Sequence, residues 1–201
     1  MQSSSKKQKS DLLKLAVTLC LIAGITAALV ALVNAVTAPE IARRNEDKTA
    51  QSLKAVMSNA DSFEAYDYTG GSATSADGKE IAIDGVWRAK RGEEYIGFCV
   101  KVSPKGYGGA IETIVGISAD GTVTDTKIVS MSETSGIGTK IETDDFLTQF
   151  KGKSTNIGGV KSSPSKNEIQ TISGATKSSK AFLRGVNAAL AVVSQINGGE
   201  N

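Results

Sequence analysis

Three short clusters of glycine and hydroxyl residues carry the chemistry that this sequence offers. The first is Gly106-Tyr107-Gly108-Gly109. The second is Ser132-Glu133-Thr134-Ser135-Gly136-Ile137-Gly138-Thr139-Lys140. The third is Ile172-Ser173-Gly174-Ala175-Thr176-Lys177-Ser178-Ser179. Glycine lets a backbone approach a ligand closely, and successive N–H groups in such loops form concavities that bind anions. The third cluster opens a long helical pattern. A helix start presents N–H groups without intrahelical partners and a partial positive charge, which suits a phosphate; Lys177 adds a cation there. Each cluster also has a plain structural reading. Gly106 to Gly109 reads equally as a tight turn, Ser173 as a helix cap, Thr176 as a first-turn residue and Glu133 as a solvated loop carboxylate. Gly136-Ile137-Gly138 lacks the remainder of a dinucleotide fingerprint, so a Rossmann site is not expected.

Composition removes other chemistries. The 201 residues include no His and two Cys, Cys20 and Cys99. His-based triads, His-ligated zinc or haem, and the four thiolates of an ordinary iron–sulfur cluster are therefore excluded for this chain alone. Any redox chemistry comes from an organic cofactor or from other chains. Lys plus Arg number 23 against 21 Asp plus Glu, a net charge of +2, so no strong basic field favours nucleic acid. Cys99 sits in an alternating strand pattern and reads as a small buried hydrophobe.

The elements that must position the clusters fall into four segments. Residues 1–14, with Ser3 to Ser5 and four lysines, read as a disordered stub. Residues 15–38 read as a transmembrane helix: no charge occurs from Leu15 to Pro39. At 1.5 Å per residue that run spans about 37 Å, against a hydrocarbon core of roughly 30 Å. It is also longer than the apolar core of a cleaved signal peptide. Lys6, Lys7, Lys9 and Lys14 precede the run against one Asp11, while charges after it balance. The positive-inside bias then predicts a single-pass cell-membrane protein with a cytoplasmic N-terminus and the large domain outside. Residues 39–85 read as a stalk, with Pro39 starting a new, exposed helix over Glu40 to Met57, followed by loop from Asp61 to Asp84.

Residues 86–201 read as the folded domain. Ile96, Phe98, Val100 and Val102 alternate as one face of a strand, joined to Val86–Lys90 through a turn at Arg91-Gly92-Glu93. Ile111 to Ser118 and Thr122 to Ser130 form a second strand pair around Asp120-Gly121. A short helix over Asp144 to Phe150 has Thr143 as its cap. A long one runs from about Ala175 to Ile196, with Phe182, Leu183, Val186, Leu190 and Val193 at helical spacing. The fold class expected is α+β, an antiparallel sheet packed by helices.

With these elements in place, the third cluster resembles a specific motif. Ser173-Gly174-Ala175-Thr176 is similar to the S-G-A-T attachment motif of the covalent FMN-binding domain family, in which the flavin phosphate is esterified to the final threonine, here Thr176. Glu133-Thr134-Ser135-Gly136-Ile137-Gly138 resembles that family's E-T-P-G-L-G loop, and Gly106-Tyr107-Gly108-Gly109 its G-Y-G-G turn. Ser135 stands where the family usually has Pro, and Thr171 where the flavin transferase's target usually has Asp. The three motifs occur in the family's order across residues 86–196. Together with one N-terminal membrane helix they resemble the G subunits of Rnf-type electron-transport complexes, relatives of the C subunit of the sodium-translocating NADH:quinone reductase.

The resemblance implies covalent FMN on Thr176, with Ser173, Gly174, Ala175 and Lys177 at the phosphate end. It places Glu133, Thr134, Gly136, Ile137 and Gly138 beside the isoalloxazine ring, with Gly108 and Gly109 as further contacts. It implies an electron-carrier subunit matured by a flavin transferase. Its partners would be other membrane subunits of an Rnf-type complex that couples ferredoxin and NAD oxidoreduction to Na⁺ or H⁺ transport. Two other readings remain. One is a reductase that feeds an attached substrate domain, for which 201 residues leave little room. The other is a membrane-anchored binding or regulatory domain without flavin.

Overall fold

The computed structural model describes residues 2–75, 77–154 and 156–199. The chain divides into two compact units, one ending at Asp47 and one beginning at Lys48. The first unit is helical. It belongs to helix α1, Gln2–Val56, which contains the uncharged run and is long and apolar enough to cross a membrane. Its apolar side chains, Leu21, Leu29 and Val36 among them, are exposed. The hydroxyls within the run are satisfied inside the helix. Thr18 donates to the Lys14 carbonyl at 2.8 Å, Thr26 to that of Ile22 at 2.9 Å and Thr37 to that of Val33 at 2.9 Å. A helix in hydrocarbon requires this internal pairing.

The helix departs from the sequence expectation at both ends of the run. It is already helical at Gln2, where a disordered stub was expected, and Pro39 lies inside it, not at the start of a new helix. Proline removes one N–H, here the donor for the Ala35 carbonyl four residues back, but a single lost bond can be outweighed. Good helix formers follow it, and Glu40 pairs with Arg44 at 2.8 Å and Arg43 at 3.5 Å along one face.

The second unit is built on an antiparallel sheet. Its strands are β1 Ser62–Tyr66, β2 Ser72–Thr74, β3 Glu80–Arg91, β4 Glu94–Ser103, β5 Ile111–Ser118 and β6 Val123–Met131. The order is β1-β3-β4-β5-β6, with β2 also paired to β3. Both expected hairpin turns are present, and Gly92 and Gly121 take the positive φ that such turns require. The sheet nevertheless starts well before Val86. Strands β1, β2 and the first half of β3 occupy the segment expected to be loop. These strands are held by backbone pairing, Ser62 opposite Lys90 through Tyr66 opposite Val86, and β1 has no fully buried residue. Its alternation is short, Phe63 and Ala65 against Ser62 and Glu64, and only Phe63 and Tyr66 are partly buried.

Helix α3, Thr176–Gly199, covers one face of the sheet. Phe182, Val186, Ala189, Leu190 and Val193 join Phe98, Val100, Val102, Val115 and Ile117 in the main core. The short helix α2, Asp144–Leu147, and the 3-10 turn Thr148–Phe150 bring Phe146 and Phe150 against Phe182, with ring centroids 5.1 to 5.6 Å apart. Thr143 occupies the cap position of α2 but makes no cap bond; its hydroxyl donates to the Lys140 carbonyl at 2.9 Å, supplied by the 3-10 turn Gly138–Glu142. A short parallel pair, β7 Gly158–Val160 and β8 Glu168–Gln170, lies between α2 and α3 in sequence.

The opposite face is covered by the last turns of α1. Leu53, Val56 and Met57 are buried with Ala60, Ala89, Cys99 and Ile114. The stalk expected to be exposed is therefore part of the core at its end. Burial on both faces also explains Cys99: it is fully buried, and burial pushes its thiol pKa up to about 12. Ile96 belongs to this second cluster, not with Phe98 as the alternation predicted. A register shift between Ala89 and Lys90, opposite Gly97, moves the strand by one residue and changes which face Ile96 meets. Gly97 has φ 152°, and a Cβ there would collide with the Ile117 carbonyl.

The contact between α1 and the sheet depends on one small residue. A Cβ on Gly116 would lie 2.6 Å from the Val56 carbonyl, and that carbonyl accepts a hydrogen bond from Thr124 Oγ1 at 2.7 Å. Gly116→Val should force these apart and lower stability by about 1–3 kcal/mol. Thermal unfolding of the full chain in detergent would read this as a lower midpoint; an unchanged midpoint would count against the packing described.

Candidate functional site

The three clusters meet at the start of α3. A cleft of about 400 Å³ is lined by Tyr107 from the turn before β5, by Glu133, Thr134, Ile137 and Gly138 from the loop after β6, and by Gly174 through Ser178. Each segment reaches the cleft for a local reason. Gly174 has φ 81°, a conformation that glycine adopts without strain, and this turns the chain into α3. The Thr134 carbonyl accepts N–H bonds from Ile137 at 3.2 Å and Gly138 at 2.9 Å, and Gly136 N–H donates to Thr139 Oγ1 at 2.9 Å, so the second loop is tightly wound. In the first cluster, Gly106 N–H donates to the Gly109 carbonyl at 2.7 Å, which makes it a tight turn as well as a wall of the site.

One carboxylate touches all three segments. Glu133 Oε1 accepts from the N–H of Tyr107 at 2.8 Å and of Gly108 at 3.2 Å, and Oε2 accepts from Ser178 Oγ at 2.8 Å. Tyr107 and Ile137 are 68% and 51% exposed. Outside α1 they are the only exposed large apolar side chains among the described residues, and both border this cleft. Lys177 Nζ lies 4.9 Å from the centre of the Tyr107 ring, a cation–π contact at the mouth.

The hydroxyls near the helix start have distinct surroundings. Thr171 is buried and donates to the Val160 carbonyl at 3.1 Å. Ser178 is buried against Glu133. Ser179 is fully buried; its Oγ donates to the Ala175 carbonyl at 2.9 Å and accepts from Ile172 N–H at 3.1 Å, which pins the loop to the helix. Ser173 is exposed and does not line the cleft, nor does it cap α3, which begins at Thr176. Thr176 does line the cleft, and its hydroxyl has only a 3.5 Å contact to the Ile172 carbonyl, at the outer limit of a hydrogen bond.

Most residues expected at the site are thus brought together: Glu133, Thr134, Ile137, Gly138, Gly174, Ala175, Thr176 and Lys177 all line the cleft. Ser173, Gly136, Gly108 and Gly109 do not; the three glycines instead shape the turns. A Cβ on Gly108 would collide with the Ser132 carbonyl, and one on Gly109 would lie 2.7 Å from Ser132 Cβ. Two lining residues, Tyr107 and Ser178, were missed as contacts. An aromatic ring set among three glycines was the available signal for Tyr107. Nothing local distinguishes Ser178 from Ser179.

The donor set fits a flavin mononucleotide. A helix start, a lysine and a hydroxyl meet the needs of a phosphate, and the exposed Tyr107 and Ile137 offer apolar surface to a ring system. A volume near 400 Å³ is in the ordinary range for ligand clefts.

Comparison with known proteins agrees with this chemistry. The family model described as an FMN-binding domain matches residues 106–191, and that described as the RnfG N-terminal region matches residues 1–56. The chain is 33% identical over 182 residues to the G subunit of the proton-translocating ferredoxin:NAD(+) oxidoreductase complex of Clostridium ljungdahlii, covering 90% of this chain and 89% of that protein. It is 32% identical over 200 residues to the G subunit of the Na(+)-translocating ferredoxin:NAD(+) oxidoreductase complex of Acetobacterium woodii, covering 92% of each. Among solved structures, the C subunit of the Na(+)-translocating NADH-quinone reductase of Parabacteroides distasonis shares the fold. Its TM-score is 0.54 at 18% identity, over 76% of this chain and 94% of that one. The chain belongs to the G-subunit family of Rnf-type ion-translocating oxidoreductase complexes and carries that family's FMN-binding domain.

Proposed function

We propose that this chain carries FMN through a phosphoester to Thr176 and relays electrons within an Rnf-type complex that couples ferredoxin and NAD oxidoreduction to ion transport. The family and its FMN-binding domain make it a membrane-anchored flavoprotein. The observation that carries the finer reading is the hydroxyl inventory at the α3 start. Thr171, Ser178 and Ser179 are buried in internal hydrogen bonds, and Ser173 lies outside the cleft, whereas Thr176 lines it with its oxygen only weakly held. A flavin transferase is the partner that would form the ester during maturation.

Bound flavin would supply the reversible electron transfer. The chain's own residues would bind and orient it. The N–H groups at the start of α3 and the Lys177 ammonium would hold the phosphate end, and Tyr107 and Ile137 would shield the ring from water. The lysine-rich N-terminal flank supports a cytoplasmic N-terminus and an FMN domain on the opposite side of the membrane.

Thr176→Val keeps the branched shape and removes the oxygen. Because the side-chain bond of Thr176 is long, stability should fall by about 1 kcal/mol or less. In-gel flavin fluorescence beside a protein stain, with intact-mass spectrometry, should show one FMN on the wild type and none on the folded variant. Undiminished fluorescence would eliminate Thr176, and a flavin-free wild type from its native host would favour the non-redox binding domain.

Topology is tested separately. Ser58 is exposed, Cys99 is buried with its thiol pKa pushed up to about 12, and Cys20 lies within the apolar run. Ser58→Cys should therefore give a distinct label with an impermeant maleimide added from outside intact cells. Labelling only after cytoplasmic access is opened would invert the orientation.

A further inference from the structure

We infer that Glu133 is a positioning residue: its carboxylate latches the turn 106–109, the loop 132–138 and the first turn of α3 into one preformed cleft. Its consequence for flavin loading rests on the reading of Thr176 above; the latch itself does not. A carboxylate offers about four lone-pair directions. Here three are taken by internal donors, two backbone N–H groups and one serine hydroxyl. A side chain engaged in this way holds the walls of a site and leaves little acceptor capacity for a ligand.

The surrounding glycines support the same role. A Cβ on Gly106 would collide with Glu133 Oε1, and one on Gly138 would meet Oε2. Neither glycine has the positive φ that would by itself demand glycine. Their bare backbone is needed because the carboxylate occupies the space. The segments joined are far apart in sequence: Glu133 lies 26 residues from Tyr107 and 45 from Ser178. Local turn geometry cannot set their mutual positions, so a tertiary contact must. The latch acts on two groups at the mouth. It fixes the backbone of Tyr107, whose ring contacts Lys177, and through Ser178 it fixes the helix turn that presents Thr176. Hydrogen bonds to a charged acceptor are stronger than neutral ones, which suits a latch between loops.

The geometry distinguishes three variants. Glu133→Ala removes all three acceptors. Glu133→Gln keeps an oxygen for the two N–H groups and places an amide that can donate to Ser178 Oγ, so it should restore the latch without the charge. Gly106→Ala leaves Glu133 intact but displaces its carboxylate. Hydrogen exchange would be measured on the full chain in detergent, expressed without a flavin transferase. Exchange at the Tyr107 and Gly108 amides should rise about tenfold or more in Glu133→Ala and in Gly106→Ala, and stay within about twofold of wild type in Glu133→Gln. Amides of β4 and β5 should not change. Co-expressed with the transferase, the first two variants should take up severalfold less covalent flavin by intact mass, and Glu133→Gln should recover it. If Glu133→Ala loses the whole fold, the Gly106→Ala comparison decides. Unchanged exchange at Tyr107 and Gly108 in the folded variants, or a Glu133→Gln variant as defective as Glu133→Ala, would overturn the proposal. If the exchange results hold but no chain takes flavin, the latch stands and the reading of Thr176 falls.

Discussion

The constraint on which the second unit depends is that its sheet is apolar on both faces. Strand β4 buries four consecutive residues, Gly97 to Val100, and β5 five, Thr113 to Ile117. A half-solvated antiparallel sheet would bury every second residue. Two covers are therefore required. Helix α3 supplies one and the end of α1 the other. The second cover explains why Gly116 is bare, why Thr124 reaches the Val56 carbonyl, and why Cys99 is sealed from solvent. The last turns of the helix that carries the apolar run are thus structural parts of the domain.

The first cover has a consequence for chemistry. Because α3 is anchored by a continuous apolar stripe from Ala181 to Ile196, its N-terminal turn is held at one end of the sheet. The helix start and its dipole are thereby aimed at a fixed point, where the turn before β5 and the loop after β6 also arrive. Strands β5 and β6 pair from Ile111 opposite Met131 onward, so the residues just before the one and just after the other must emerge together. Sheet register brings Gly106–Gly109 and Ser132–Gly138 side by side, and α3 adds the third wall. Glu133 then joins walls that the scaffold has already made neighbours.

The division of labour between sequence and tertiary structure follows from these contacts. The uncharged run, the two glycine hairpin turns, the apolar stripe of α3 and the three glycine-rich clusters are local signals, and local spacing was enough to read them. The α+β class and the meeting of Glu133, Ile137, Gly138 and Thr176 could be anticipated from that pattern together with the family resemblance. Other features depend on partners distant in the chain and were decided only by the fold. Strand β1 is held by the backbone partners that β3 offers it; its own alternation, Phe63 and Ala65 against Ser62 and Glu64, is short and none of its residues is fully buried. The α1 end is buried because both sheet faces need cover, although its charged neighbours suggested a stalk. Pro39 remains within a helix whose flanking residues outweigh one lost bond. Ile96 changes face through a register shift opposite Gly97, set by pairing across strands. Ser178 and Ser179 are identical by type and adjacent, yet one meets Glu133 and the other pins Ile172. Side-chain type and spacing determined which chemistry was available; pairing and burial between distant segments decided which atoms face the cleft.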